Sequence, residues 1–232
     1  MARKDKLNVF QSRNRNLISL TNPKSSIAEQ FRTVRTSIEF SSVDTDLRSV
    51  VVTSSCPTEG KSTITANLAI VFAQQGKRVL LIDSDLRKPT VHYTFHIENN
   101  IGLTNILAKQ ATLEKAVKTT VQENLWILTS GPIPPNPSEL LGSNNMNALL
   151  EKAKSEYDLI IFDSPPVLTV TDAQVLANLT DGVVLVISSG NTKIDSARKA
   201  QELLEIAKAK ILGVVLNNKK EQDNLSSYYG EY

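Results

Sequence analysis

Five short runs of aliphatic, largely β-branched residues, at 50–52, 79–82, 159–162, 183–187 and 211–216, restrict the folds open to this chain more than any other feature. Apolar character is continuous within each run, without alternation between wet and dry positions, which is the pattern of strands covered on both faces. Longer amphipathic stretches separate them, so the strands are expected to be parallel and joined by helices. The expected class is α/β: a three-layer, doubly wound, mostly parallel sheet. At 232 residues, 41% apolar and 22% charged, the chain is long enough for one domain with a substantial core, and a disordered or fibrous chain is excluded.

Ile27, Phe31, Val34 and Ile38 form one apolar stripe and predict an N-terminal helix over 25–40 that packs on the body. Ile64, Leu68 and Phe72 mark a second helix that ends at Gly76, and another begins at Ser138 after the stiff GPIPPNP stretch. The apolar pattern stops after Asn217. Three regions are therefore expected: a flexible basic arm over 1–24, a single domain over 25–217 and a mobile, tyrosine-rich tail over 218–232. The arm sets Arg3, Lys4, Lys6, Arg13 and Arg15 against Asp5, either as a contact for anionic lipid or an acidic partner or as a solvated leader. A formal net charge of +2 gives no argument for nucleic acid. The single cysteine, Cys56, has no partner for an internal disulfide, no secretory stretch opens the chain, and no apolar run approaches the ~20 residues of a membrane span. The expected compartment is the cytoplasm.

The first strand runs into SSCPTEGKST, residues 54–63, and then into the Ile64/Leu68/Phe72 helix. Strand, loop and helix in that order are the context of a phosphate-binding P-loop. Gly60 leaves room for backbone N–H groups to approach phosphate oxygens, the helix N-terminus adds partial positive charge, and Lys61 reaches toward the β- and γ-phosphates. Thr58, Glu59, Gly60, Lys61, Ser62 and Thr63 are the candidate nucleotide-binding residues, with Ser62 as a magnesium ligand. The pattern G-x-x-x-x-G-K-[ST] is not met in full, because Ser55 stands at its first glycine.

Two carboxylate sites accompany the loop. The second strand ends in Asp83-Ser84-Asp85, whose two acids at i and i+2 share a face, and the third ends in Asp163-Ser164-Pro165-Pro166. Carboxylates at the carboxyl edge of an open sheet are placed to hold Mg²⁺ near a phosphoryl group, while the plain alternative is a turn former or a helix cap. Cys56, beside the loop, is either an oxidant-sensitive position or an inert thiol.

SSCPTEGKST, LLIDSDLRKP and LIIFDSPP together resemble the Walker A, A′ and B motifs of the bacterial tyrosine kinases, the family that controls exopolysaccharide and capsule synthesis. The resemblance extends to GPIPPNPSELL at 131–141, to the N-terminal helix and to the terminal tyrosines. It implies a fold like that of the MinD/ParA-type P-loop ATPases, and no H-R-D or D-F-G set of a eukaryotic kinase is present. It further implies ATP and Mg²⁺ as cofactors, with Lys61 on the phosphates, Ser62, Asp83 and Asp163 on the metal, and Lys61, Asp83, Asp85 and Asp163 as the catalytic set. Asp83 is the candidate base for an incoming phenol, whose pKa near ~10 requires that its proton be taken up. Arg87 either stabilises transferred charge or forms a salt bridge beneath the site. Asn217 or Asn218 either reads the adenine edge or forms a turn.

The resemblance implies autophosphorylation of Tyr228, Tyr229 and Tyr232, which place three of the chain's five tyrosines in its last five residues. Glu29, Arg32 and Arg35 resemble the ExxRxxR motif through which members of that family contact neighbouring subunits in a ring, and spacing of three puts them on adjacent helical turns. A homo-oligomer, transfer in trans, further tyrosine substrates on other proteins, and a transmembrane activator that recruits the chain to the membrane by its cytoplasmic tail are all implied. The alternative is a MinD/ParA-like ATPase switch. Against it, the position of that group's signature lysine, four residues before Gly60, is Cys56 here, and no lysine precedes Lys61 in the loop.

Overall fold

The computed structural model describes residues 17–41 and 46–219. All five apolar runs are strands: β1 (Ser49–Ser54), β2 (Val79–Asp83), β5 (Leu159–Asp163), β6 (Gly182–Ser188) and β7 (Ile211–Asn217). With β3 (Lys118–Thr119) and β4 (Leu125–Leu128) they build one sheet in the order β3-β4-β2-β5-β1-β6-β7. Every pairing is parallel except that of β3 with β4. The two strands absent from the sequence reading are those without a periodic signal. β4 has only four residues and is recruited by its register with β2, Val79↔Leu125 to Ile82↔Leu128, while β3 is two polar residues on the edge.

Continuous apolar runs arise because alternate residues of one strand serve different cores. Val50 and Val52 join Leu68, Leu81 and Ile161 on one face, beneath α2 (Ser26–Phe40) and α3 (Lys61–Gln74). Val51 joins Leu80, Ile160 and Phe162 on the other, beneath α8 (Asn144–Glu156), α9 (Asp172–Leu179) and α10 (Ile194–Ile206). Shorter helices complete the layers: α1 (Ile18–Thr21), α4 (Val91–Phe95), α5 (Leu103–Leu107), α6 (Leu113–Ala116) and α7 (Pro137–Leu141). Each fully buried Leu, Ile or Val contributes roughly 1.5–3 kcal/mol of transfer free energy, which sets the sheet's position against chain entropy.

α2 starts where Ser25 Oγ accepts from Ala28 N at 3.1 Å. Its buried stripe is Ala28, Phe31 and Ile38, with Val34 half-buried; Ile27, expected in that stripe, is 49% exposed. The arm expected over 1–24 is shorter than that in the described part. Ser19 N donates to Asn67 Oδ1 at 2.9 Å, Gln74 Nε2 donates to Ser19 O at 2.9 Å, and Leu17, Ile18 and Leu20 pack on the α3 face. Four residues carry no helical period, so only these tertiary partners reveal α1. Residues 1–16 and 220–232, and with them Tyr228, Tyr229 and Tyr232, lie outside the described residues.

Candidate active site

Strand order β2-β5-β1 brings the carboxyl ends of three buried strands side by side, and the candidate site is built on those ends. β1 delivers the loop that opens α3, with Gly60 at its N-cap in the left-handed conformation (φ 87°). Glycine is needed there twice over, since a Cβ would also lie 2.1 Å from Asn217 Nδ2. Among the described residues, the backbone N–H groups of 58–63 have no intramolecular acceptor. Free amides at a helix N-terminus are an anion cradle.

The ammonium of Lys61 projects across the strand ends. It lies 3.2 Å from Asp163 Oδ1, 3.4 Å from Asp85 Oδ2 and 3.0 Å from Ser62 Oγ. Thr65, one turn further along α3, donates to Lys61 O at 2.7 Å and lies 3.4 Å from Asp163 Oδ1, so it ties that carboxylate to the helix. Thr65 was missing from the sequence reading, although its spacing of four from Lys61 was a usable signal. The main chain of Asp163 is fixed by its β2 neighbour, whose Ser84 donates to Asp163 O through both N (2.9 Å) and Oγ (2.8 Å).

Asp83 and Asp163 are completely buried. Asp83 Oδ2 accepts from Thr90 N and Val91 N, both at 2.9 Å, while Asp83 Oδ1 and Asp163 Oδ2 have no hydrogen-bond partner among the described residues. Burial, and then the charge of Asp163, push the Asp83 carboxyl up to about 7 against the opposing pull of the Val91 amide, the Lys61 ammonium and the Thr90 amide. Two orphaned carboxylate oxygens beside a serine hydroxyl fit a hard divalent cation such as Mg²⁺. No three His, Cys, Asp or Glu side chains gather closely enough among the described residues to hold a metal alone. That suits an ion which keeps waters and takes phosphate oxygens as further ligands.

Other residues singled out by sequence fall elsewhere. Asp85 Oδ1 accepts from Lys88 N at 3.0 Å, which leaves Oδ2 toward Lys61. Thr58 is exposed, with φ 66°, and Thr63 is half-buried, its carbonyl accepting from Asn67 Nδ2. Glu59 turns under the loop, with its side chain on Cys56 N and the Thr192 hydroxyl. Asn217 Nδ2 donates to Glu59 O at 2.9 Å, and Asn218 (φ 58°) donates to Ser188 Oγ at 3.0 Å. Of the two alternatives for Arg87, the structure contains the salt bridge: Nε and Nη2 reach the two oxygens of buried Asp172 at 2.9 and 3.0 Å, and Nη2 also reaches Ser138 Oγ at 3.0 Å. Ser138 belongs to the GPIPPNPSELL segment, so that segment is tied to the strand end of β2 through this ion pair.

Glu29, Arg32 and Arg35 lie on α2, away from the strand ends. Arg32 pairs with Glu29 at 2.6 Å and donates to Pro23 O at 2.6 Å, whereas Arg35 donates to Val71 O at 2.9 Å. One of the three is thus bound to the body of its own chain.

A family described as an AAA domain matches residues 48–211. Over 218 residues the chain is 56% identical to the tyrosine-protein kinase YwqD of Bacillus subtilis (strain 168), covering 94% of this chain and 91% of that one. Among solved structures, the chimerical protein CapA2B2 superposes with a TM-score of 0.86 at 46% identity, over 88% of this chain and 90% of that one. MinD of Pyrococcus horikoshii, solved with Mg-ADP, reaches a TM-score of 0.65 at 27% identity, over 76% of this chain and 72% of that one. The fold is therefore shared with the MinD ATPases, while sequence and near-complete coverage place the chain in the family of bacterial tyrosine-protein kinases.

Proposed function

We propose that the protein transfers the γ-phosphoryl group of ATP to tyrosine hydroxyls, Tyr228, Tyr229 and Tyr232 of its own chain among them. The observation that carries this is the Lys61 ammonium held between Asp85 and Asp163, at the mouth of a loop of free amides, with the buried Asp83 as the cross-strand partner of Asp163. Lys61 and the amides of 58–63 bind and orient the phosphates; Ser62 and Asp163 would hold Mg²⁺, with Asp83 reaching it through a water, and the ion would offset charge on the transferred group. The phenol oxygen bonds to the γ-phosphorus as the bond to the ADP oxygen breaks, and the phenolic proton passes to Asp83 Oδ1. A carboxyl raised to about 7 is a better proton acceptor near neutral pH than an ordinary aspartate. Asn217, whose Nδ2 donates to Glu59 O at 2.9 Å, stands at the edge of the same loop as the nucleotide-binding asparagine.

The reading extends to assembly. Glu29, Arg32 and Arg35 on α2 form the polar ridge of a homo-oligomer, in which one copy's tail enters a neighbour's site. Fifteen residues after Asn217 span at most ~50 Å, which is long enough for transfer in cis or in trans. No helix among the described residues is long and apolar enough to cross a membrane. In the same reading, a transmembrane activator supplies recruitment and exopolysaccharide or capsule synthesis is the process regulated.

Incubating the purified chain with ATP and Mg²⁺, with and without candidate activator tails, tests the proposal by mass spectrometry. Phosphate on the terminal tyrosines, lost in Lys61→Met, is expected. Nucleotide hydrolysis with unmodified tyrosines would instead make the protein a switch of the MinD kind.

A further inference from the structure

We infer that Glu59 is a positioning residue whose buried carboxylate makes the shape of the phosphate loop depend on the connection between β6 and α10. The inference rests on the nucleotide reading above. An acid at this place in a P-loop would, if it faced outward, set a negative charge beside the phosphates and weaken their binding. The fold removes it: Glu59 is 4% exposed and its carboxylate is shared between two segments. Oε2 accepts from Cys56 N at 3.0 Å, which closes the loop on itself, and Oε1 accepts the hydroxyl of Thr192, 133 residues away. Thr192 Oγ1 accepts in turn from Ser188 N at 2.8 Å, so its single proton is committed to Glu59.

The main chain of Glu59 is gripped as well, since its carbonyl accepts from Asn217 Nδ2 at 2.9 Å. Thr58 and Gly60, on either side of it, have φ of 66° and 87°. A left-handed threonine lies against the preference of an L-residue, so the loop needs outside restraint to present its amides in this arrangement. Glu59 supplies that restraint only while residues 188–193 stay in place. They have room to move, because Thr192 borders two cavities. One, of about 400 Å³, is lined by Cys56, Pro57, Thr58 and Lys193; the other, of about 750 Å³, lies between α10 and β7. A shift of this connection releases the Thr192 hydroxyl, frees the carboxylate and loosens the amides together.

Binding of a fluorescent ATP analogue with Mg²⁺, followed on the full chain alongside thermal melting, tests the inference. Thr192→Val is expected to weaken affinity about tenfold, the scale of one hydrogen bond to a charged group, with melting little changed and with KM for ATP rising more than kcat falls. Thr192→Ser, which keeps the hydroxyl, should restore affinity. Adding Thr192→Val to Glu59→Ala should cost no more than Glu59→Ala alone. Wild-type affinity in Thr192→Val, or independent effects that add in the double variant, would overturn the inference. Failure of the wild-type chain to bind the analogue would instead overturn the nucleotide reading beneath it.

Discussion

Asp83 and Asp163 are direct cross-strand partners on β2 and β5, and neither side chain is reached by solvent. Neighbours in register on parallel strands point to the same side, so their charges are felt through the protein and not through water. Burial first, and then the charge of Asp163, push the Asp83 carboxyl up to about 7 from its ordinary 3.8.

The folded state therefore holds this proton more tightly than the unfolded chain. Its contribution to stability is complete below the unfolded value and is lost as pH rises through about 7. In EDTA, the melting temperature should fall across that window and level off above it, and Asp83→Asn should remove the dependence. Lys61→Met should move the window to higher pH, because the lysine's ammonium opposes the upward push. A melting temperature that rises through the same window would contradict the assignment.

Gly60→Ala should cost stability and nucleotide affinity together. Left-handed backbone at a residue with a Cβ costs about 1–2 kcal/mol, and the new methyl meets Asn217 Nδ2. The clash is with the end of a side chain, so Asn217→Ala should relieve part of the loss in the double variant, leaving the backbone share. Chemical denaturation of the four proteins separates the two contributions.

Arg87→Met should destabilise the fold by about 1–3 kcal/mol in urea, since it leaves the fully buried Asp172 without its charged donor. Partial exposure of the arginine keeps the value at the lower end of that range. Arg87→Lys should recover only part of this, because an ammonium cannot reproduce the two-pronged contact. If phosphoryl transfer falls sharply in either variant while stability is unchanged, the arginine acts on the phosphoryl group after all.

Glu29→Ala with Arg32→Ala should leave melting within about 1 kcal/mol of wild type, the scale of an exposed pair, and convert an oligomer to monomers in light scattering. Arg35→Ala is a different substitution. It removes a donor from Val71 O at 2.9 Å, so it should lower stability as well as assembly. An unchanged oligomer in the first variant would refute the ridge.

Continuous apolar runs, the loop between a strand and a helix, and aspartates at strand ends were all legible in the sequence because each is set by neighbours along the chain. β-branched runs without alternation require cover on two faces, and GKST after a strand requires a helix that opens on free amides. The strand at 125–128 and the helix at 18–21 were not legible, since four residues carry no period and their hydrogen-bond partners lie far along the chain. The same distance in sequence hid Asp172 as the partner of the expected Arg87 salt bridge, Asp163 as the partner of Thr65 and the turn of Glu59 away from the phosphates.

The sequence by itself thus determined which residues arrive at the carboxyl edge of the sheet. Only the tertiary structure decided which of them are free to act and which are already occupied. That division follows from range: hydrophobic periodicity and backbone geometry are local, whereas the field at Asp83 includes a charge on another strand, Asp163, and Glu59 is held by Thr192 and Asn217, 133 and 158 residues away.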